Sequence, residues 1–298
     1  MPEQRLALVE LLRELNDLKR VHSANAAGSI AERLFAQAWA MLAAGEPTDT
    51  VMCRTLSCAL VATRLGDLPG VLPCLGIEPL AVRQILRASL ADHAGLLAEV
   101  GIEREALAGS LDLPQPVLPP PAFVAMLARQ PRAGVTCPGR PRLLFEPPES
   151  HAEHCLMVAV YGVLLAKHYD ADPETVFLAG LAHHLHNALM PDAGFTGETL
   201  LGRHLEPAIG AATGFALDLL DEPLRARVQA ARRCLPDATT PEGRAFNAAD
   251  TIDRVLQIDQ HLRAGRTTLG FVLDTMQLVH AGPVKPFQDA VLHEFSLA

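Results

Sequence analysis

The chain opens with apolar residues at helical spacing. Leu6, Leu8, Val9, Leu11, Leu12, Leu15 and Leu18 form a broad stripe with charges between them, which predicts an amphipathic helix over 3–21. IAERLFAQAWAMLAAG predicts a second helix over 29–44, stopped by Gly45 and Pro47. A third helix is expected over 48–65 and a fourth over 78–99. Between them DLPGVLPCLG, 67–76, is rich in breakers. No segment here alternates with period two, and no internal repeat is evident.

The pattern changes at 112–148. Ten prolines fall in residues 114–148, and proline removes helix donors and favours extended chain. The segment reads as a linker or wrapping arm with room for one short helix near 121–130. Ser150-His151-Ala152-Glu153 has the form of a capping box and opens a helix running to about His168. Asp172 before Pro173 gives an N-cap and first position for the next helix, ending before Pro191. Thr240-Pro241 repeats that start, and further helices fit 198–220, 222–233, 241–264 and 267–280. The expected architecture is all-α: a helical N-terminal domain (1–111), a Pro-rich linker (112–148) and a helical C-terminal domain (149–298).

Composition sharpens this. Aromatic residues are 4% of the chain, which weighs against a strand-rich fold. The formal net charge of −9 disfavours non-specific nucleic-acid binding through a basic surface. No apolar run reaches the roughly 18 residues of a membrane span, and MPEQRLALVELLREL lacks a signal peptide's uninterrupted apolar core. A cytoplasmic location is the expectation. The six cysteines (Cys53, Cys58, Cys74, Cys137, Cys155 and Cys234) contain no C-x-x-C pair and read as free thiols.

Histidine carries the candidate chemistry. Seven of the 12 histidines lie between His151 and His204, where an even spread would place about two. His154 stands one turn into its helix, His183 and His184 are adjacent near the end of the next, His204 follows, and Asp250 sits mid-helix in FNAADTIDR. Imidazole and carboxylate are ligands for zinc, iron, manganese or nickel, and helical bundles build metal sites from side chains on facing helices. For any one histidine an ordinary structural or exposed role is the plain alternative. His151, at i, i+3 from His154, is a candidate supporting residue, and His186, at i+3 from His183, is a candidate substitute ligand. Asp250 and Arg254, at i, i+4, also fit a surface ion pair.

These segments resemble the HD-domain superfamily of metal-dependent phosphohydrolases. EHCLMVAVYGVLLAKHYDADPETVFLAGLAHHL is similar to that family's first two helices, GLAHHLHN to its L-L-H-D-I-G-K segment and NAADTIDRV to its closing A-D-x-x-D-R motif. RHLEPAIG resembles the segment that supplies a further histidine in di-metal members. The resemblance covers about residues 148–265 and implies a ligand set of His154, His183, His204 and Asp250. Three departures stand out. His184 replaces the aspartate of the His-Asp pair, His186 and Asn187 replace Gly and Lys, and Arg232-Arg233 stand where di-metal members often carry His-His. A neutral imidazole at 184 cannot bridge two cations as a carboxylate does, so a one-metal site of imidazoles with Asp250 is implied, with His184 among its ligands.

The resemblance further implies a divalent transition metal as cofactor and hydrolysis of a nucleotide or small phosphorylated molecule. Arg232 and Arg233 are candidates to contact its phosphate, since guanidinium matches phosphate oxygens; a solvated helix end is the alternative for both. Asp253 and Arg254 divide the same way. Two other readings stay open: a catalytically degenerate HD module acting as a regulator or scaffold, and an oxygen-activating iron enzyme on the same scaffold. In the N-terminal half, TLSCALVATRLGDLPGVLPCLGIEPLAVRQIL faintly resembles the helical part of NifQ, without that family's cysteine cluster. A generic helical domain that packs on its neighbour or forms a homodimer is the alternative there.

Overall fold

The computed structural model describes residues 2–113, 117–268, 270–275 and 285–294. The described secondary structure is helical apart from one two-stranded antiparallel hairpin, His22–Ser23 with Ala26–Ser29, and two isolated bridges. The all-α expectation holds. Contacts divide the chain into two compact units, Met1–Arg254 and Val255–Ala298. No single helix among the described residues is long and apolar enough to cross a membrane.

The centre of the first unit is the helix His151–Ala166, in which every residue is buried. It starts where the sequence says it should. The Ser150 hydroxyl accepts from Glu153 N at 3.2 Å, and Ser150 N donates to Glu153 Oε2 at 2.7 Å. A second capping box, Ser29 with Glu32, opens the helix Ile30–Ala43. Both ends satisfy backbone donors that the first turn of a helix leaves without partners.

Three helices cover the central one: Pro173–Ala182, Ile30–Ala43 and Ala122–Arg129. The closest approach is to Pro173–Ala182, and two glycines permit it. A Cβ on Gly180 would stand 2.5 Å from the Ala159 Cα, and one on Gly162 would stand 2.4 Å from Val176 Cγ1. The two backbones therefore nearly touch, which fixes the residues just after Gly180 against the central helix. On the other side Trp39 and Phe123 meet edge-to-face at 4.9 Å between ring centroids, a geometry worth about 0.5–1.5 kcal/mol beyond area burial. Phe123 comes from the Pro-rich segment, whose short helix Ala122–Arg129 also buries Val124 and Leu127.

Several helices are shorter than their apolar pattern. The first ends at Asp17, because the chain turns through Leu18–Arg20 into the hairpin. The run 78–99 divides into Pro79–Ala91 and Ala94–Glu99; the break brings His93 inward, where its Nε2 lies 3.2 Å from the Thr63 hydroxyl. The run 198–220 breaks at Gly202, whose φ of 50° is left-handed. The helix from Pro173 stops at Ala182 and does not continue toward Pro191. The run 267–280 lies largely outside the described residues.

Candidate metal centre

Because that helix stops at Ala182, His183 and His184 lie at its C-terminal cap and not within it. The close Gly180–Ala159 crossing then sets the His183 ring beside His154, with ring centroids 4.9 Å apart. Asp250 and Asp253 arrive from the helix Pro241–Arg266, where a spacing of three puts both on one face.

Hydrogen bonds fix which way each key ring faces. His154 Nδ1 lies 2.7 Å from Asp253 Oδ2. An ionised carboxylate only accepts, so Nδ1 carries a proton and Nε2 is the nitrogen left to face His183. His183 Nδ1 lies 2.7 Å from Gly180 O, a carbonyl, so its Nδ1 carries a proton as well. The two Nε2 atoms face each other at 3.0 Å. Asp250 Oδ1 stands 3.2 Å from His154 Nε2. His154 Nε2 is thus the point where a second imidazole and a carboxylate meet.

The electrostatics agree. Burial, then the nearby His154, lowers the His183 pKa well below that of a free imidazole, so this ring is neutral. Burial tends to raise Asp250, but the bond and charge of His154, with His183 and Arg254, outweigh it and hold the carboxyl ionised. Asp250 Oδ2 also accepts from Arg254 Nη2 at 2.6 Å, so the expected i, i+4 pair exists alongside the inward contact.

His184 is placed differently. Its Nδ1 donates to Asn187 Oδ1 at 2.8 Å, and the Asn187 amide donates to Met190 O at 3.1 Å, which fixes the amide's orientation. Its Nε2 accepts from Arg132 Nη1 at 3.1 Å. One ring nitrogen from each of His154, His183 and His184 nonetheless lies within 4.8 Å of the others, a spacing that could hold a metal ion. His184 can join such an ion only by giving up one of these two bonds.

The three histidines are spaced as a set that could hold a metal of the kind the sequence suggests, and Asp250 adjoins that set through His154. Two ligands about 2.1 Å from a tetrahedral zinc stand about 3.4 Å apart, within a few tenths of an ångström of the spacings found here. Nitrogen donors outnumber oxygen, which favours zinc, iron, manganese or nickel over magnesium. The His154 Nδ1–H bond to Asp253 is the kind of outer support that holds a ligating imidazole in one orientation.

The other candidates fall outside the cluster. His204 is exposed in the turn Gly202–His204, where Arg203 Nε lies 3.4 Å from its Nε2; the left-handed Gly202 turns this segment outward. Arg232 donates to Ala182 O, so its guanidinium caps the helix that precedes His183 and is committed there. Arg233 is exposed. His151 is fully buried, yet neither ring nitrogen has a hydrogen-bond partner; Asp192 Oδ2 is 3.6 Å from Nε2. His186 Nδ1 is also without a partner. All six cysteines are free, and burial pushes the Cys155 thiol up to about 12, leaving it protonated beside the cluster.

Sequence reasoning missed four supporting residues: Asn16, Lys19, Arg132 and Glu149. Asp253, which reads equally well as a solvated helix residue, is completely buried. The available signal was polar residues inside an apolar face, with Asn16 and Lys19 among Leu12, Leu15 and Leu18. Their partners lie more than 100 residues away, so the signal had no visible meaning.

Fold and site together define an all-helical bundle that gathers imidazoles and a carboxylate at the junction of three helices. Comparison with protein families gives the class a name: the HD domain model matches residues 124–280, just over half the chain, and the chain belongs to that family. The match does not reach the N-terminal segment, and the resemblance to NifQ there finds no support. No curated protein and no solved structure gives a significant match.

Proposed function

We propose that this protein is a metal-dependent HD-domain phosphohydrolase that binds one divalent transition metal ion through His154, His183 and Asp250, with His184 as a fourth ligand. The observation that carries the reading is that His154, His183 and His184 each bring a ring nitrogen within 4.8 Å of the others, with Asp250 Oδ1 3.2 Å from His154 Nε2. When bound, such an ion lowers the pKa of a coordinated water and polarises a phosphoryl oxygen.

The residues supply the rest. Asp253 holds the His154 ring, and Gly180 O holds that of His183. Asp250 keeps 16% of its side-chain surface accessible, so the cluster is open to solvent on that side. Arg132 is the guanidinium placed next to the imidazoles, a more suitable partner for a substrate phosphate than Arg232 or Arg233. The substrate class is a nucleotide or a small phosphorylated molecule.

The test is elemental analysis of the purified protein with His183→Ala and Asp250→Ala variants, followed by metal-dependent hydrolysis of a generic phosphomonoester and phosphodiester. About one equivalent of metal in the parent, lost in both variants, with turnover in the parent, is the expected result. No metal in the parent overturns the reading. A second reading, a catalytically silent HD module that regulates or scaffolds, draws support from His184. Both of its nitrogens are engaged, and no carboxylate stands there to bridge two ions. Metal without turnover would select it.

A further inference from the structure

The His154 ring has two sides, and the side facing away from His183 ends in a part of the chain that the HD domain match does not include. Asp253 Oδ2 binds His154 Nδ1 at 2.7 Å, and Asp253 Oδ1 accepts from Lys19 Nζ at 2.6 Å. Lys19 Nζ also donates to Glu149 Oε1. Asn16 Nδ2 lies 3.3 Å from Asp253 Oδ1, and Arg20 Nη1 donates to Asn16 Oδ1 at 3.0 Å, which orients that amide. Lys19 is 4% exposed and Asp253 is not exposed at all.

Glu149, His154 and Asp253 are themselves spaced as a group that could hold a metal ion. In this chain the lysine ammonium lies between the two carboxylates and is the cation. Charges balance locally: Lys19 and Arg132 against Glu149 and Asp253, with Arg132 Nε 3.6 Å from Glu149 Oε2. The lysine is also held by its backbone. Lys19 N donates to Asn16 O at 3.2 Å, Ala31 N donates to Leu18 O at 3.2 Å, and the Tyr161 hydroxyl of the central helix donates to Leu12 O at 2.7 Å. The turn after the first helix is thus tied to the same helix that carries His154.

We propose that Lys19 is a positioning residue of the metal centre: its ammonium fixes the Asp253 carboxylate, which fixes the His154 ring with Nε2 toward His183 and Asp250. The inference rests on the metal-binding reading above, and it makes the N-terminal turn a working part of a site whose ligands all lie in the HD-matching half. A buried ion pair with no such role would change stability and leave the ring and its metal affinity untouched. The supporting partners of a ligating histidine contribute about 10- to 100-fold in metal affinity.

The experiment uses the full chain with Lys19→Met, and a charge-compensated double variant, Lys19→Met with Glu149→Gln, which leaves Asp253 in place and keeps the test alive if the single variant does not fold. The first measurement is the histidine-ring nitrogen spectrum of metal-free protein. The parent should show His154 as a single Nδ1–H tautomer, and the variants a tautomer mixture. The second is zinc affinity by competition with a chromophoric chelator, expected to weaken about 10- to 100-fold in the variants. A parent-like His154 spectrum or parent-like zinc affinity in the folded variants overturns the proposal. Failure of the parent to take up zinc, with the ring spectrum still dependent on Lys19, overturns the metal-binding reading and not the positioning of the ring.

Discussion

Two pairs of histidines lie side by side in this molecule. In His154 and His183 each Nδ1 is bound by a strong acceptor, and the free Nε2 atoms converge. In His151 and His186, three ring nitrogens have no partner at all, although the His151 ring lies only 4.7 Å from that of His184. His186 is half-buried, but His151 is as completely buried as His154. Direction differs. A ring becomes a candidate ligand when something behind it decides which nitrogen faces forward.

The comparison can be broken first from behind. Asp253→Asn leaves Lys19 and Glu149 in a buried network that has lost a charge, and breaking such a network costs about 3–5 kcal/mol. A drop of that size in a urea titration is expected, and a loss under about 1 kcal/mol would mean the network relaxes into water. Gly180→Val is next. Its side chain would meet the Ala159 backbone, so the helices must part, at a cost of about 1–3 kcal/mol, and the His183 ring must move away from His154. Metal content should fall with the stability; retained stoichiometry would show that the crossing does not set the site.

Acid then separates the pairs. Burial, then Arg132 and the neighbouring histidines, lower the His151 pKa to about 2, and burial, then Arg232, lower that of His186 to about 4. The unfolded rings titrate near 6.5, so protons favour the unfolded chain. The stability these neutral rings allow is fully present above about pH 6.5 and is lost as pH falls toward their folded values. For His151 the slope is about 1.4 kcal/mol per pH unit between about pH 6 and pH 4. Metal-free protein should lose stability over this range, and His151→Leu should flatten the loss. Near neutral pH the same substitution removes two buried nitrogens without partners, so its stability should stay within about 1 kcal/mol of the parent or exceed it. A large destabilisation would show that His151 has a partner it needs. The smallest effect belongs to His204→Ala. An exposed residue outside the cluster should change stability by no more than about 0.5 kcal/mol and leave metal uptake unchanged.

Much of this molecule is legible before folding. The capping boxes at Ser150, the Asp172-Pro173 start and the apolar periodicities are local properties, and local backbone geometry obeys them. His154, His183 and Asp250 stand out because their order and spacing match a known family. Helix ends are less legible. The helix from Pro173 stops at Ala182 and does not run on toward Pro191, and Arg232 reaches Ala182 O there, a contact made across 50 residues of chain. Arg232 therefore reads as a phosphate contact in the sequence and caps a helix in the structure.

The sequence by itself determined the all-helical class and the helix that opens at Ser150, because composition, capping and short-range periodicity are local, and it marked His154, His183 and Asp250 only through their resemblance to a known family. Only the tertiary structure decided that His204 stands apart, that His184 is held by Arg132 and Asn187, and that Lys19 lies behind Asp253. The longest of these contacts depend on which nitrogen faces which partner across 52 to 234 residues of chain. Hydrogen-bond direction at that range leaves no period to read.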